Sequence, residues 1–162
     1  MHGDGSILAR VDSLQKTDDW SKTGVMIRES LAAGSKHAFC GLIASHGTSF
    51  HNRTETDQST RNSNTEGLAA PYGVKLVREG DTFSAYHSPD GLSWTLQAPS
   101  AETQNPQTIV MGQDVYVGLA VTSRDPSRTA SAQVCHVTLT GSVSPSGPFP
   151  ESQDISFLLT RP

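Results

Sequence analysis

The sequence predicts an all-β protein, a two-sheet sandwich or a barrel, on three observations. Short segments of alternating apolar and polar residues recur between turn signals at roughly 8–12-residue spacing. Glycine and proline are abundant (Gly 14, Pro 9 in 162 residues), which favours many turns over long helices. Helical periodicity is almost absent, and the one helical candidate, 28–36, is short and interrupted by Gly34.

The strands follow in order. Residues 7–14 place Ile7, Ala9 and Val11 on one side and Arg10 and Asp12 on the other. Residues 24–30 read as a strand through Val25-Met26-Ile27, and 37–45 form a more continuous apolar run. In 49–54, Phe50 opposes His51 and Asn52 opposes Arg53. Residues 72–78 and 82–88 make a hairpin around Glu79-Gly80-Asp81, whose glycine can take the positive φ of a tight turn. Ser88-Pro89-Asp90-Gly91 is a second turn, leading to Trp94. Residues 108–111, 115–122 and 130–140 supply the later strands. Three polar stretches read as connections: 55–70, 97–107 and 142–153, the last holding Pro145, Pro148 and Pro150. Residues 155–159 offer one more strand.

Composition excludes several classes. The length suits one domain. Twelve basic against sixteen acidic residues give a net charge of -4, the wrong sign for a nucleic-acid binder. No apolar run approaches the ~18 residues of a membrane helix. The start, Met1-His2-Gly3-Asp4-Gly5, carries no signal-peptide pattern. Cys40 and Cys135 match no zinc spacing and are expected as buried thiols rather than a disulfide.

Ordered blocks then carry a resemblance. They are Gly3-Asp4-Gly5-Ser6 with Ala9-Arg10-Val11, Asp19-Trp20-Ser21-Lys22-Thr23-Gly24-Val25-Met26-Ile27-Arg28-Glu29-Ser30, and Ala70-Pro71-Tyr72-Gly73-Val74-Lys75-Leu76-Val77-Arg78-Glu79-Gly80. Ser88-Pro89-Asp90-Gly91-Leu92-Ser93-Trp94 and Val115-Tyr116-Val117-Gly118-Leu119-Ala120-Val121-Thr122-Ser123 complete them. Together they resemble the bacterial regulation-of-enolase-like domain family, of unknown function, in the concanavalin A-like lectin/glucanase superfamily. The resemblance implies a two-sheet antiparallel jelly-roll sandwich over 1–141, with 142–162 as a Pro-rich linker and a strand-like segment. Such domains commonly serve as extracellular or cell-surface modules. Family members usually carry strands ahead of the Gly-Asp-Gly block, so this sandwich is expected to be N-terminally shortened. An aromatic expected after Ala70-Pro71-Tyr72 is Gly73, and the closing strand reads Gln133-Val134-Cys135-His136-Val137 where the family has an Asp-Asn pair. The shortening leaves a sheet edge to be covered by 155–160 or by a second copy of the chain, a homo-oligomer.

The function expected first is carbohydrate or glycan binding. Arg28, His51, Arg53, Lys75 and Tyr86 alternate away from the apolar side of their strands, and a shared surface of donors with one aromatic suits sugar hydroxyls and ring faces. The alternative is a small hydrolase of a glycoside, ester or lactone. It would use Glu55 and Asp57, which match two positions of the three-carboxylate glucanase motif, with His51 as a further catalytic candidate. Calcium is its candidate cofactor, since aspartates in turns supply the irregular oxygen ligands that Ca²⁺ accepts. A structural or self-associating domain is the third reading.

Overall fold

The computed structural model describes residues 1–144 and the backbone of 155–158. Twelve strands follow in chain order: β1 (His2–Leu14), β2 (Lys22–Arg28), β3 (His37–Ile43), β4 (Gly47–Arg53), β5 (Arg61–Thr65), β6 (Tyr72–Glu79), β7 (Thr82–Ser88), β8 (Thr95–Leu96), β9 (Gln107–Thr108), β10 (Tyr116–Thr122), β11 (Ser131–Ser142) and β12 (Ile155–Leu158). Among the described residues there is no helix. The seven-stranded sheet runs β12-β11-β1-β6-β7-β8, with β9 also paired to β7, and the five-stranded sheet runs β10-β2-β3-β4-β5. Every strand pair is antiparallel. The expected two-sheet, all-β sandwich is therefore the observed architecture.

Alternation explains how the sheets face each other. The five-stranded sheet turns Val25, Ile27, Ala38, Cys40, Leu42 and Phe50 inward. The seven-stranded sheet answers with Ile7, Ala9, Val11, Val74, Leu76, Phe83 and Ala85. Full burial of each large apolar side chain stabilises the fold by about 1.5–3 kcal/mol, so this interface is the main reason the sheets stay layered.

Two polar stretches differ from the expected loops. Residues 55–70 contain β5, a strand of Arg61-Asn62-Ser63-Asn64-Thr65 with no apolar alternation to mark it. Its inward Ser63 belongs to a polar strut centred on fully buried Gln97. Gln97 Oε1 accepts from Thr48 Oγ1 (2.9 Å), and its Nε2 donates to Thr65 Oγ1 (2.8 Å) and to the Ser63 carbonyl (3.3 Å). The connection 97–107 also buries Asn105, whose amide pairs with both backbone groups of Ala85 and with the Gln97 carbonyl (2.8–3.0 Å). That side chain imitates a neighbouring strand where the main chain departs. Of the expected strand 108–111, only Thr108 joins a ladder; Ile109 and Met111 are buried in irregular backbone.

The β1–β11 ladder carries a bulge, with Leu8 opposite Thr138 but Arg10 opposite Cys135. His136 takes the extra position with φ +49°. At the seven-stranded edge, β12 pairs with β11 from Val134↔Ile155 to Ser131↔Leu158. Of the expected Pro-rich linker 142–153, residues 145–153 lie outside the described residues, as do Leu159 and Thr160. The thiols have separate partners: Cys40 Sγ donates to the Tyr86 carbonyl (3.4 Å) and Cys135 Sγ to Asp12 Oδ2 (2.9 Å).

Candidate functional site

The outer face of the five-stranded sheet is organised in rows by strand register. One row runs Tyr116–Arg28–His37–Arg53 across β10, β2, β3 and β4. The next runs Gly118–Met26–Phe39–His51–Asn62, reaching β5. A third, Ala120–Gly24–Gly41–Ser49–Asn64, is built of small residues at four of its five positions. A Cβ on Gly41 would stand 2.4 Å from the Phe39 ring, so the glycine lets that ring lie flat along the sheet. The rows leave a groove of about 620 Å³, whose floor and walls include Met26, Phe39, His51, Asn62, Ala120 and Trp20. Lys22, Arg28, His37 and Arg124 also line it.

His51 and His37 are buried (8% and 7% exposed) yet sit on this outer face. Phe39 meets His51 edge to face, and Trp20 stacks on His46 with centroids 3.8 Å apart. Burial chiefly lowers the His51 pKa to about 3, helped by the charge of Lys22 and by His37. Burial also lowers His37, to about 4, against the hydrogen bond its Nδ1 donates to the Ser35 carbonyl and with the fields of Arg53, Arg28 and Lys22. Both rings are neutral at pH 7, each with one donor and one acceptor nitrogen. Nε2 of His51 has no hydrogen-bond partner among the described residues. A buried polar atom left without a partner is uncommon in a folded protein and costs stability.

The arginines hold one loop. Arg28 Nε donates to the Ser30 carbonyl (2.9 Å) and Nη2 to the Ala32 carbonyl (2.5 Å). Arg53 Nη1 donates to the Ala33 and Ser35 carbonyls (2.7 and 3.3 Å). Burial lowers the Lys22 pKa, as does the charge of Arg124, while Asp18 opposes the shift.

The structure divides the sequence-expected binding set. Arg28, His51 and Arg53 share the five-stranded face. Lys75 and Tyr86 are register partners on β6 and β7 and face outward from the other sheet. Lys75 Nζ lies 4.7 Å from the Tyr86 ring centroid and 4.6 Å from that of Trp94. The expectation of one surface for all five residues is therefore corrected: alternation places each side chain outward, but two sheets have two outer faces. Glu55 and Asp57 are exposed in the turn after β4, and Asp57 N donates to the Gly34 carbonyl (2.9 Å). Neither lines the groove that holds His51. Among the described residues, no group of three or more His, Cys, Asp or Glu side chains is placed to hold a metal ion.

Sequence reasoning passed over Lys22, His37, Phe39, Asn62 and Trp20. All of 37–43 is buried, so the alternation that would mark His37 and Phe39 as outward is erased. Setting 22–28 antiparallel to 37–43 aligns Arg28 with His37 and Met26 with Phe39, a signal already present in the sequence.

The fold and groove define a two-sheet β-sandwich with a recess of mixed polar and apolar lining across one face. No protein-family model matches the chain, and no curated protein does. Among solved structures it is similar to the GH43 protein BlXynB from Bacillus licheniformis, with TM-score 0.59, 16% identity and 82% of this chain covered. A mutant of that protein gives TM-score 0.62 at 16% identity. The match spans 26% of the BlXynB chain. A functionally unknown protein from Saccharomyces cerevisiae is also similar, with TM-score 0.60 and 15% identity over 89% of this chain and 72% of that one. The likeness is one of fold: an all-β sandwich distantly related in shape to part of a GH43 protein.

Proposed function

We propose that the chain is a carbohydrate-binding sandwich module that holds a saccharide in the groove across β10, β2, β3, β4 and β5. The observation that carries this reading is the unpartnered, buried Nε2 of His51, set among groove residues that combine Asn62 and Thr60 with the apolar surfaces of Trp20, Met26 and Phe39. Sugars present hydroxyls around a ring with apolar C–H faces, and such a lining answers both. The fold likeness to part of a GH43 protein supports a carbohydrate context. The concanavalin A-like assignment, carried by the sequence blocks, belongs to the same proposal.

The test is a screen of the purified chain against neutral and acidic saccharides, in Ca²⁺ and in EDTA, with turnover followed in parallel. Binding is expected without turnover. His51→Ala, Asn62→Ala and the groove-filling Ala120→Leu should each weaken it by about tenfold, the scale of one lost hydrogen bond or a blocked contact. Absence of binding to every saccharide, or full binding by all three folded variants, overturns the reading. The EDTA arm reports whether calcium takes part.

A further inference from the structure

We infer that the saccharide this groove takes is an acidic one, bearing carboxylate or sulfate groups. The inference rests on the carbohydrate reading and narrows it.

Charge is unevenly distributed over the molecule. Acidic residues outnumber basic ones by sixteen to twelve in the chain. The groove reverses that balance: Lys22, Arg28 and Arg124 line it, and no carboxylate does among the described residues. Arg53 adds a cation in the row beside it, close enough for its field to reach His37.

The cations also differ in what they already hold. Arg28 and Arg53 are committed to carbonyls of the 30–35 loop. Among the described residues, the side chains of Lys22 and Arg124 make no hydrogen bond or ion pair. Lys22 is only half-exposed; burial and the charge of Arg124 disfavour its ammonium ion, and the field of Asp18, which makes no ion pair with it, offsets this only in part. A half-buried cation without an acceptor is a cost that an incoming anion would relieve.

Lys22 is the register partner of Thr122, two residues before Arg124, so both cations stand at one end of the groove. His51 and Asn62 share a row on the other strands, with Phe39 beside them. A sugar ring lying over Met26 and Phe39 would meet neutral donors on one side and the two free cations on the other. Arg28 contributes its field without leaving its loop.

The experiment begins with acidic and neutral saccharides on one array. The tightest acidic binder is then titrated beside its own neutralised form, the methyl ester of a carboxylate or the desulfated form of a sulfate. Removing the charge should weaken binding by about tenfold or more, as should raising salt to about 0.5 M. Lys22→Gln and Arg124→Gln should lose the same factor toward the acidic form and markedly less toward the neutral form, so that the preference for charge collapses; melting curves confirm that both variants fold. Equal binding of the charged and neutral forms overturns the inference and leaves the carbohydrate reading standing. Binding to neutral sugars alone does the same. Displacement by inorganic sulfate as effective as by the saccharide also overturns it, since the groove would then hold small anions only. Failure of every saccharide overturns both readings.

Discussion

His51 and Phe39 are register partners whose rings meet edge to face, centroids 5.5 Å apart and planes at 85°. This contact holds the imidazole against the sheet on the solvent side of the sandwich, where it is buried without being part of the core. A neutral ring tolerates such a place; an imidazolium, with Lys22 nearby, does not.

Acid should therefore destabilise the protein earlier than its carboxylates require. His51 and His37 bind protons near pH 6.5 when unfolded, but only near 3 and 4 when folded. The unfolded chain thus binds more protons below pH 6.5, and stability falls as pH drops through that window. The loss is complete only below the folded values. By pH 5 each histidine should have removed on the order of 1–2 kcal/mol. His87, also lowered by burial, adds in the same direction. Asp12, Asp90 and Asp125 have lowered values and an ordinary value of 3.8, so their contribution is lost only at lower pH. Thermal melts from pH 7 to 5 should show a falling Tm, with a shallower slope in His37→Asn and His51→Asn. A flat profile in the wild type would contradict the argument.

The opposite outer face should be silent in saccharide binding. Lys75 lies against both Tyr86 and Trp94, a cation placed over two rings. Partly exposed contacts of this kind contribute about 0.5–1 kcal/mol each. Lys75→Ala should lower stability by roughly 1 kcal/mol in denaturant titrations. Tyr86→Ala should leave saccharide affinity at its wild-type value, in contrast to His51→Ala. A matching loss of affinity in both variants would place the binding surface on the wrong sheet.

That contrast shows what was legible in the sequence. Phe50 and His51, or Leu76 and Lys75, differ so much in polarity that inward and outward sides were readable strand by strand. The hairpin at Glu79-Gly80-Asp81 was readable too, and Gly80 has φ +59°. Alternation is a property of one strand, however, and sheet membership is a property of pairing. Nothing within Tyr72–Glu79 says that it lies beside β1 and not beside β4. β5 was hidden for a different reason. Its inward Ser63 meets a buried amide, Gln97, so the strand never needed an apolar stripe. His37 and Phe39 were hidden because β3 is covered on both faces, by the core on one and by groove side chains on the other.

Arg78 presents the reverse case, an inward charge. It is almost fully buried, at 1% exposed, beneath the β6–β7 turn. Its Nε donates to the Gly80 carbonyl (2.8 Å), and Nη2 donates to the carbonyls of Met111 and Gly112 (3.2 and 2.9 Å). The guanidinium also lies 5.6 Å from the Phe83 ring centroid. It thereby ties the hairpin to irregular backbone around Met111, which lacks a strand partner. Asp4 Oδ1 accepts from Gly80 N (2.7 Å) and fixes the same turn to β1. Arg78→Ala would strand three carbonyls beside a cavity, and hydrogen bonds to a charged donor are each worth about 1.5–3 kcal/mol. The expected loss is about 3 kcal/mol or more, read as a lower denaturant midpoint. Arg78→Lys should recover only part of it, because one ammonium cannot span the separated acceptors as a planar guanidinium does. Equal stability of the lysine variant and the wild type would show that charge alone, without the forked geometry, secures this corner of the sandwich.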